Sequence, residues 1–273
     1  MSNNLLPMST KTTPLIVSLL LVLLSACHHD DTFTIQGTLE GGAGKTVYIE
    51  ELTPSEPLFL DSIRLDNEGK FSYSCKLPYA TFYNLHVTPT NYVMLLPEGG
   101  DKIVLSGQYD NLEGTYEVRG SYGTMLLWQL QSYSNMGSEK LSEIVSIDQQ
   151  NRQTYATDTA AYRMAKQVTD SMYYEAYTEQ SDYIKKFIND NQGSLATLIA
   201  LYKPFGRSHA LIDIERDPGL LVYYEQVLEG LEQSHPDNPH TMHFKNSVAY
   251  LQHRLEQYQQ QQQQDLSISV GDQ

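Results

Sequence analysis

The period of the apolar residues changes once along the 273-residue chain, near Gly123, and that change limits what it can fold into. Before it, apolar side chains recur at every second position, as half-buried strands require. Phe33, Ile35, Gly37 and Leu39 alternate with polar residues, and Val47, Tyr48, Ile49 and Leu52 follow the Gly41-Gly42-Ala43-Gly44 turn. Phe59, Asp61, Ile63 and Leu65 lead into Asp66-Asn67-Glu68-Gly69, a hairpin turn with glycine where positive φ is wanted. The return strand sets Phe71, Tyr73, Cys75 and Leu77 on one face. Tyr83, Leu85 and Val87 keep the period, Tyr92 to Leu96 is apolar on both faces, and Ile103 to Leu105 and Tyr116 to Val118 close the set. About eight short strands with turn signals every ten or so residues predict an antiparallel β-sandwich over residues 33–122.

After Gly123 the spacing is three and four. Leu126, Leu127 and Leu130 open a helical pattern, and Met164, Val168, Met172 and Ala176 continue it to Tyr183, Ile184, Phe187 and Ile188. Ser194 is expected to cap a short helix that Pro204 and Gly206 stop. Asp217-Pro218 reads as an N-cap with proline at the first helical position, ahead of Leu220, Leu221, Tyr224, Val227, Leu228 and Leu231. Phe244, Val248, Leu251, Leu255 and Tyr258 follow at 4, 3, 4, 3, a seam of about two heptads for packing on neighbouring helices. The sequence thus predicts an α+β chain, a sandwich followed by an all-helical segment over residues 123–258. Gln259 to Gln264 are expected to end the ordered part, leaving residues 259–273 as a glutamine-rich linker and tail.

Composition excludes several functions. With 18 Lys and Arg against 33 Asp and Glu, the formal charge is -15, which removes the basic footprint of a nucleic-acid binder. Two cysteines cannot build a structural zinc site of four thiolates, or of three thiolates and an imidazole, nor a disulfide-dense scaffold.

The first residues read as a targeting segment. Lys11 is the one charged side chain before Asp30, and Leu15 to Leu24 is a largely apolar run of ten. A spanning helix needs about twenty, so residues 1–26 are expected to be an export signal. Leu24-Ser25-Ala26-Cys27 resembles the lipobox of bacterial lipoproteins. The resemblance implies that Cys27 becomes the lipidated N-terminus, its acyl chains holding the protein to a membrane of the cell envelope, with the outer membrane expected. His28-His29-Asp30-Asp31 then reads as a solvated tether, residues 27–32, rather than a metal site. Its acidic residues resemble the surface-export signal of Bacteroidota lipoproteins; periplasmic and surface faces both stay open.

The strand series has a second resemblance. Phe33 to Leu39, Val47-Tyr48-Ile49, Asp61-Ser62-Ile63, Asn67 to Tyr73, Phe82 to Leu85, Glu98 to Ile103 and Val118 to Ser121 together resemble the β-domain known as domain of unknown function 4369. The stretch Tyr183 to Tyr258 is similar to the segment that follows this domain in Bacteroidota lipoproteins, where a thioredoxin-like domain with a Cys-x-x-Cys pair comes next. Ser269 to Gln273 resembles the entry to that domain, but this sequence is expected to lack it, and the implied disulfide exchange with it. Three readings follow. The first is a non-catalytic binding or scaffold module, recruiting a partner such as a separate thioredoxin-like protein. The second is the non-redox portion of a truncated or split oxidoreductase. The third is a carbohydrate-binding envelope lipoprotein.

The remaining side chains assign no catalytic, cofactor-binding or metal-ligating residue, so Cys27 is the sole assigned site. Cys75 shares a face with Phe71, Tyr73 and Leu77 and reads as a small core residue. Gly44-Lys45-Thr46 lacks the upstream glycine of a phosphate loop and precedes a strand, so it reads as a turn. His235, His240 and His243 fall within nine residues, but Pro236-Asp237-Asn238-Pro239 makes them part of a helix-start turn. The helical tyrosines Tyr173, Tyr174, Tyr177 and Tyr183 sit at core positions.

Overall fold

The computed structural model describes residues 31–206 and 209–271. Cys27, the expected export signal and most of the expected tether lie outside them. The fold is α+β, with strands first and helices after.

Eight strands make two four-stranded sheets. They are β1 (Thr32–Glu40), β2 (Thr46–Leu52), β3 (Pro57–Arg64), β4 (Lys70–Lys76), β5 (Phe82–Thr88), β6 (Asn91–Leu95), β7 (Lys102–Gln108) and β8 (Glu117–Arg119). One sheet has the order β4-β1-β7-β8 and the other β3-β2-β5-β6. Their inner faces share one core, in which Phe33, Ile35, Val47, Ile49, Leu85 and Ile103 are nearly fully buried. Each such side chain contributes about 1.5–3 kcal/mol relative to exposure. The Asp66–Gly69 turn is as expected: Gly69 has φ 74°, and a Cβ there would meet the Leu39 carbonyl oxygen at 2.3 Å.

The expected antiparallel sandwich holds for every pair but one. β1 and β7 run parallel, in register from Thr34↔Lys102 to Glu40↔Gln108. The turn before β7 explains this. Gly100 N–H donates to the Thr32 carbonyl and Thr34 N–H to that of Asp101, so β7 starts beside the start of β1 and must run with it.

Among the described residues, five α-helices follow in the chain's second half: α1 (Tyr122–Thr154), α2 (Thr159–Asp190), α3 (Ala196–Leu201), α4 (Leu221–Ser234) and α5 (Pro239–Gly271). A two-residue hairpin, β9 (Pro204–Phe205) with β10 (His209–Ala210), lies between α3 and α4. The Ser121 hydroxyl accepts from Thr124 N–H to start α1, and Asp158 from Ala161 N–H to start α2. The helices pack a second core that includes Ile184, Ile188, Leu201, Val227 and Leu231. Phe82 and Leu96, with the half-buried Leu52 and Met94, join it from the outer face of the β3-β2-β5-β6 sheet. That sheet is therefore covered on both sides, by the other sheet and by the helices. The double-sided apolar run from Tyr92 to Leu96 was its mark in the sequence.

One apolar stripe of the helices is left uncovered, and one expected helix end is not where the sequence put it. Met164 and Val168 are 71% and 61% exposed, because α1 and α2, each about 50 Å long, outrun the core and project as a two-helix arm. The last helix does not stop at Gln259; its backbone stays helical to Gly271. Glutamine is a good helix former, so the tract extends the helix although it carries no apolar stripe.

Candidate functional site

A groove of about 910 Å³ runs along α5 in the helical half. Helix lengths produce it. α4 has 14 residues and α5 has 33, and the two pack through Phe244 and Val248 under Tyr224. Past Gln252, which donates to Glu225 near the start of α4, α5 runs on without α4 beside it. Leu251 still packs on the helical core, Leu255 and Tyr258 lie beyond it, and the three together form one wall of the groove. The segment Ile214 to Pro218 forms the opposite wall, turned by Asp217, whose side chain accepts from Gly219 N–H at 2.9 Å ahead of the α4 start.

Aromatic rings define the groove. Tyr202 stands edge-on to Tyr224 with centroids 5.9 Å apart, and Tyr224 stacks on Phe244 at 6.2 Å. Burial pushes the Tyr224 phenol up to about 12 and raises that of Tyr202. Tyr202, Tyr250 and Tyr258 are more than half exposed. Arg254 lies 5.9 Å from the Tyr250 ring centroid and bridges to Glu215 across the groove at 3.4 Å. Asn246, Ser247 and Gln257 supply amides and a hydroxyl between the rings. Such a surface can stack an extended ligand and hydrogen-bond its edges.

The sequence-derived candidates fall elsewhere. His240 is buried at the boundary between sandwich and helices, its Nε2 2.9 Å from Thr81 Oγ1 and its ring edge-on to Phe82. Burial, aided by His243, pushes it down to about 4, so the ring is neutral at physiological pH. Asn238 completes the seam: Nδ2 donates to the Ala80 carbonyl at 2.7 Å and Oδ1 accepts from His240 N–H at 2.9 Å. His243 instead lines the groove, and His235 ends α4. Among the described residues, no group of three or more His, Cys, Asp or Glu could hold a metal ion.

Cys75 is half-buried against the sandwich core, with Sγ 3.4 Å from the Lys76 carbonyl oxygen. Gly44, at φ 69°, turns the chain into β2, and Lys45 bridges to Asp110 at 3.1 Å. Of the helical tyrosines, Tyr183 stacks on Tyr133, Tyr173 and Tyr177 pack on Phe205, and Tyr174 is exposed. The groove residues Tyr202, Tyr250 and Arg254 were not singled out by the sequence. The available signal was the seam Leu251-Leu255-Tyr258, which outlasts the partner helix. Among the described residues, no helix is long and apolar enough to cross a membrane.

No curated protein and no solved structure matches the chain. The strand series resolves what the first half is similar to: residues 33–125, the whole sandwich with the first turn of α1, match the family model described as Domain of unknown function (DUF4369).

Proposed function

We propose that this is a lipid-anchored protein of the bacterial cell envelope whose folded part is a non-catalytic binding module, with the α5 groove as its binding surface. The observation that carries the reading is the groove itself: about 910 Å³, with three exposed tyrosines beside the Arg254–Glu215 pair. Exposed aromatics around a concave surface are the composition of recognition sites, where rigid rings bury much area at small entropic cost. The anchor half of the proposal rests on Leu24-Ser25-Ala26-Cys27, with Cys27 as the lipid attachment site.

The occupant is an extended segment of a partner protein. A glycan is the second reading, favoured by the amides interleaved with the tyrosines. Peptide and glycan arrays probed with wild type and with Tyr250→Ala/Arg254→Ala decide between them. Retention of peptides by wild type and its loss in the double variant support the first reading, retention of glycans alone supports the second, and no retention on either array refutes the groove. Labelled fatty acid incorporated by wild type but not by Cys27→Ser supports the anchor. Equal labelling of both refutes it.

A further inference from the structure

The outer face of the β3-β2-β5-β6 sheet is apolar where the helices cover it and carries a cluster of polar side chains beyond them. The polar part is Tyr48, Glu50, Asn84 and His86. Register brings them together: Tyr48 lies opposite His86, and Glu50 opposite Asn84, on neighbouring strands β2 and β5. All four occupy even positions, on the face away from the sandwich core.

Three atoms here are buried without a hydrogen-bond partner in the fold: Asn84 Oδ1 and both ring nitrogens of His86. Natural folds rarely leave such atoms unmatched, and two neighbouring residues of one strand face carry all three. The Glu50 carboxylate oxygen lies 3.5 Å from His86 Nε2. That is beyond the usual 2.7–3.2 Å of an N–H···O bond. It is the separation of two ligands on one ion: donors about 2.1 Å from a tetrahedral metal sit about 3.4 Å apart. The Tyr48 ring stacks on the imidazole at 5.5 Å and holds its plane. The ladders are also irregular at both residues. The β2–β3 register shifts between Ile49 and Glu50, and the β5–β6 register between His86 and Thr88. Bulges re-aim side chains and recur beside functional sites.

We propose that Glu50, Asn84 and His86 form a binding site for a divalent metal ion of the zinc class. The Glu50 carboxylate and His86 Nε2 are the principal ligands, the Asn84 amide oxygen is the third, and the fourth position opens to solvent beside the partly exposed Glu50. Nitrogen and oxygen donors without thiolate suit zinc, nickel or cobalt rather than a soft ion, and the imidazole disfavours magnesium and calcium. The site is independent of the α5 groove.

The test uses the full-length protein without a histidine tag, stripped by chelator and titrated with zinc against a chromophoric indicator, and separately with cobalt. One equivalent of zinc and a visible cobalt spectrum are expected. Both should vanish in His86→Ala, and zinc affinity should fall about tenfold or more in the near-isosteric Glu50→Gln, which guards against misfolding of the first variant. A His28→Ala/His29→Ala control separates the tether from the sheet and should bind as wild type does. No zinc binding by wild type, or binding undiminished in both His86→Ala and Glu50→Gln, overturns the site.

Discussion

His240 shows how one residue can make the fold sensitive to acid. Its ring is held at about 4, below the usual 6.5 of a histidine, chiefly because burial disfavours the charged form. Below pH 6.5 the unfolded chain takes up a proton that the folded chain refuses until about pH 4. Stability is therefore unaffected by this group above pH 6.5, falls as pH drops from 6.5 to 4, and is flat in this term below that. The full shift corresponds to ~3 kcal/mol, an upper bound because the ring is not wholly enclosed. Urea midpoints measured from pH 7 to pH 4 should fall more steeply in wild type than in His240→Gln, which keeps a partner for Thr81 but cannot take the proton. Parallel curves would show that carboxylates elsewhere govern the acid limb. Gly123 is a second residue-scale control. A Cβ there would stand 2.5 Å from the Leu96 carbonyl oxygen, so Gly123→Ala should cost about 1–3 kcal/mol and lower the melting temperature. Neither role was legible in the sequence. The sequence placed His240 in a helix-start turn, but its partner Thr81 lies 159 residues away, and no local pattern reports such a contact.

At the scale of elements, periodicity was legible and coverage was not. Met164, Val168, Met172 and Ala176 do share a helix, yet the first two face solvent while Ala176 is buried. A spacing of four says which residues lie on one face and nothing of how far the neighbouring layer reaches. Met164→Gln and Val168→Thr should thus change stability by less than about 0.5 kcal/mol, whereas Ile184→Ala, in the same helix but 1% exposed, should cost about 2–5 kcal/mol. Thermal melts of the three variants check the contrast, and a large loss at Met164 would mean that the arm is covered. The glutamine tract makes the complementary case. It has no apolar residue to signal a helix, yet the helix runs through it on propensity and on the nucleus already formed at Phe244 and Val248. Gln259→Pro should remove helical circular-dichroism signal worth about a dozen residues and leave the melting temperature unchanged, because the anchoring contacts lie upstream. An unchanged spectrum would show that the distal half is not helical in solution.

At the scale of the molecule, the question is whether the sandwich is a unit that merely precedes the helices. The sequence divided the chain near residue 122, and the strand-to-helix change falls there, between Arg119 and Tyr122. The packing does not divide so cleanly. Leu52, Phe82, Met94 and Leu96 belong to the sandwich by chain position and to the helical core by contact. Ser121 Oγ donates to the Leu96 carbonyl, the Thr124 hydroxyl accepts from Leu96 N–H, and Asn238 and His240 fasten residues 80–82 from the far end of the chain. Cutting the chain at residue 125 would expose a contiguous apolar strip on the β3-β2-β5-β6 sheet and leave the Ala80 carbonyl and the Thr81 hydroxyl to water. Such patches on isolated domains promote association. The fragment 28–125 should therefore melt below the full chain, bind a hydrophobic dye, and regain solubility when Phe82 and Leu96 are replaced by threonine. The full chain should unfold in one transition seen alike by near-ultraviolet and far-ultraviolet circular dichroism, since the two cores share a sheet. A fragment that melts with the full chain and ignores the dye would make the helices an appendage. Their groove would then sit on a separate module, and binding there could not be felt by the sandwich.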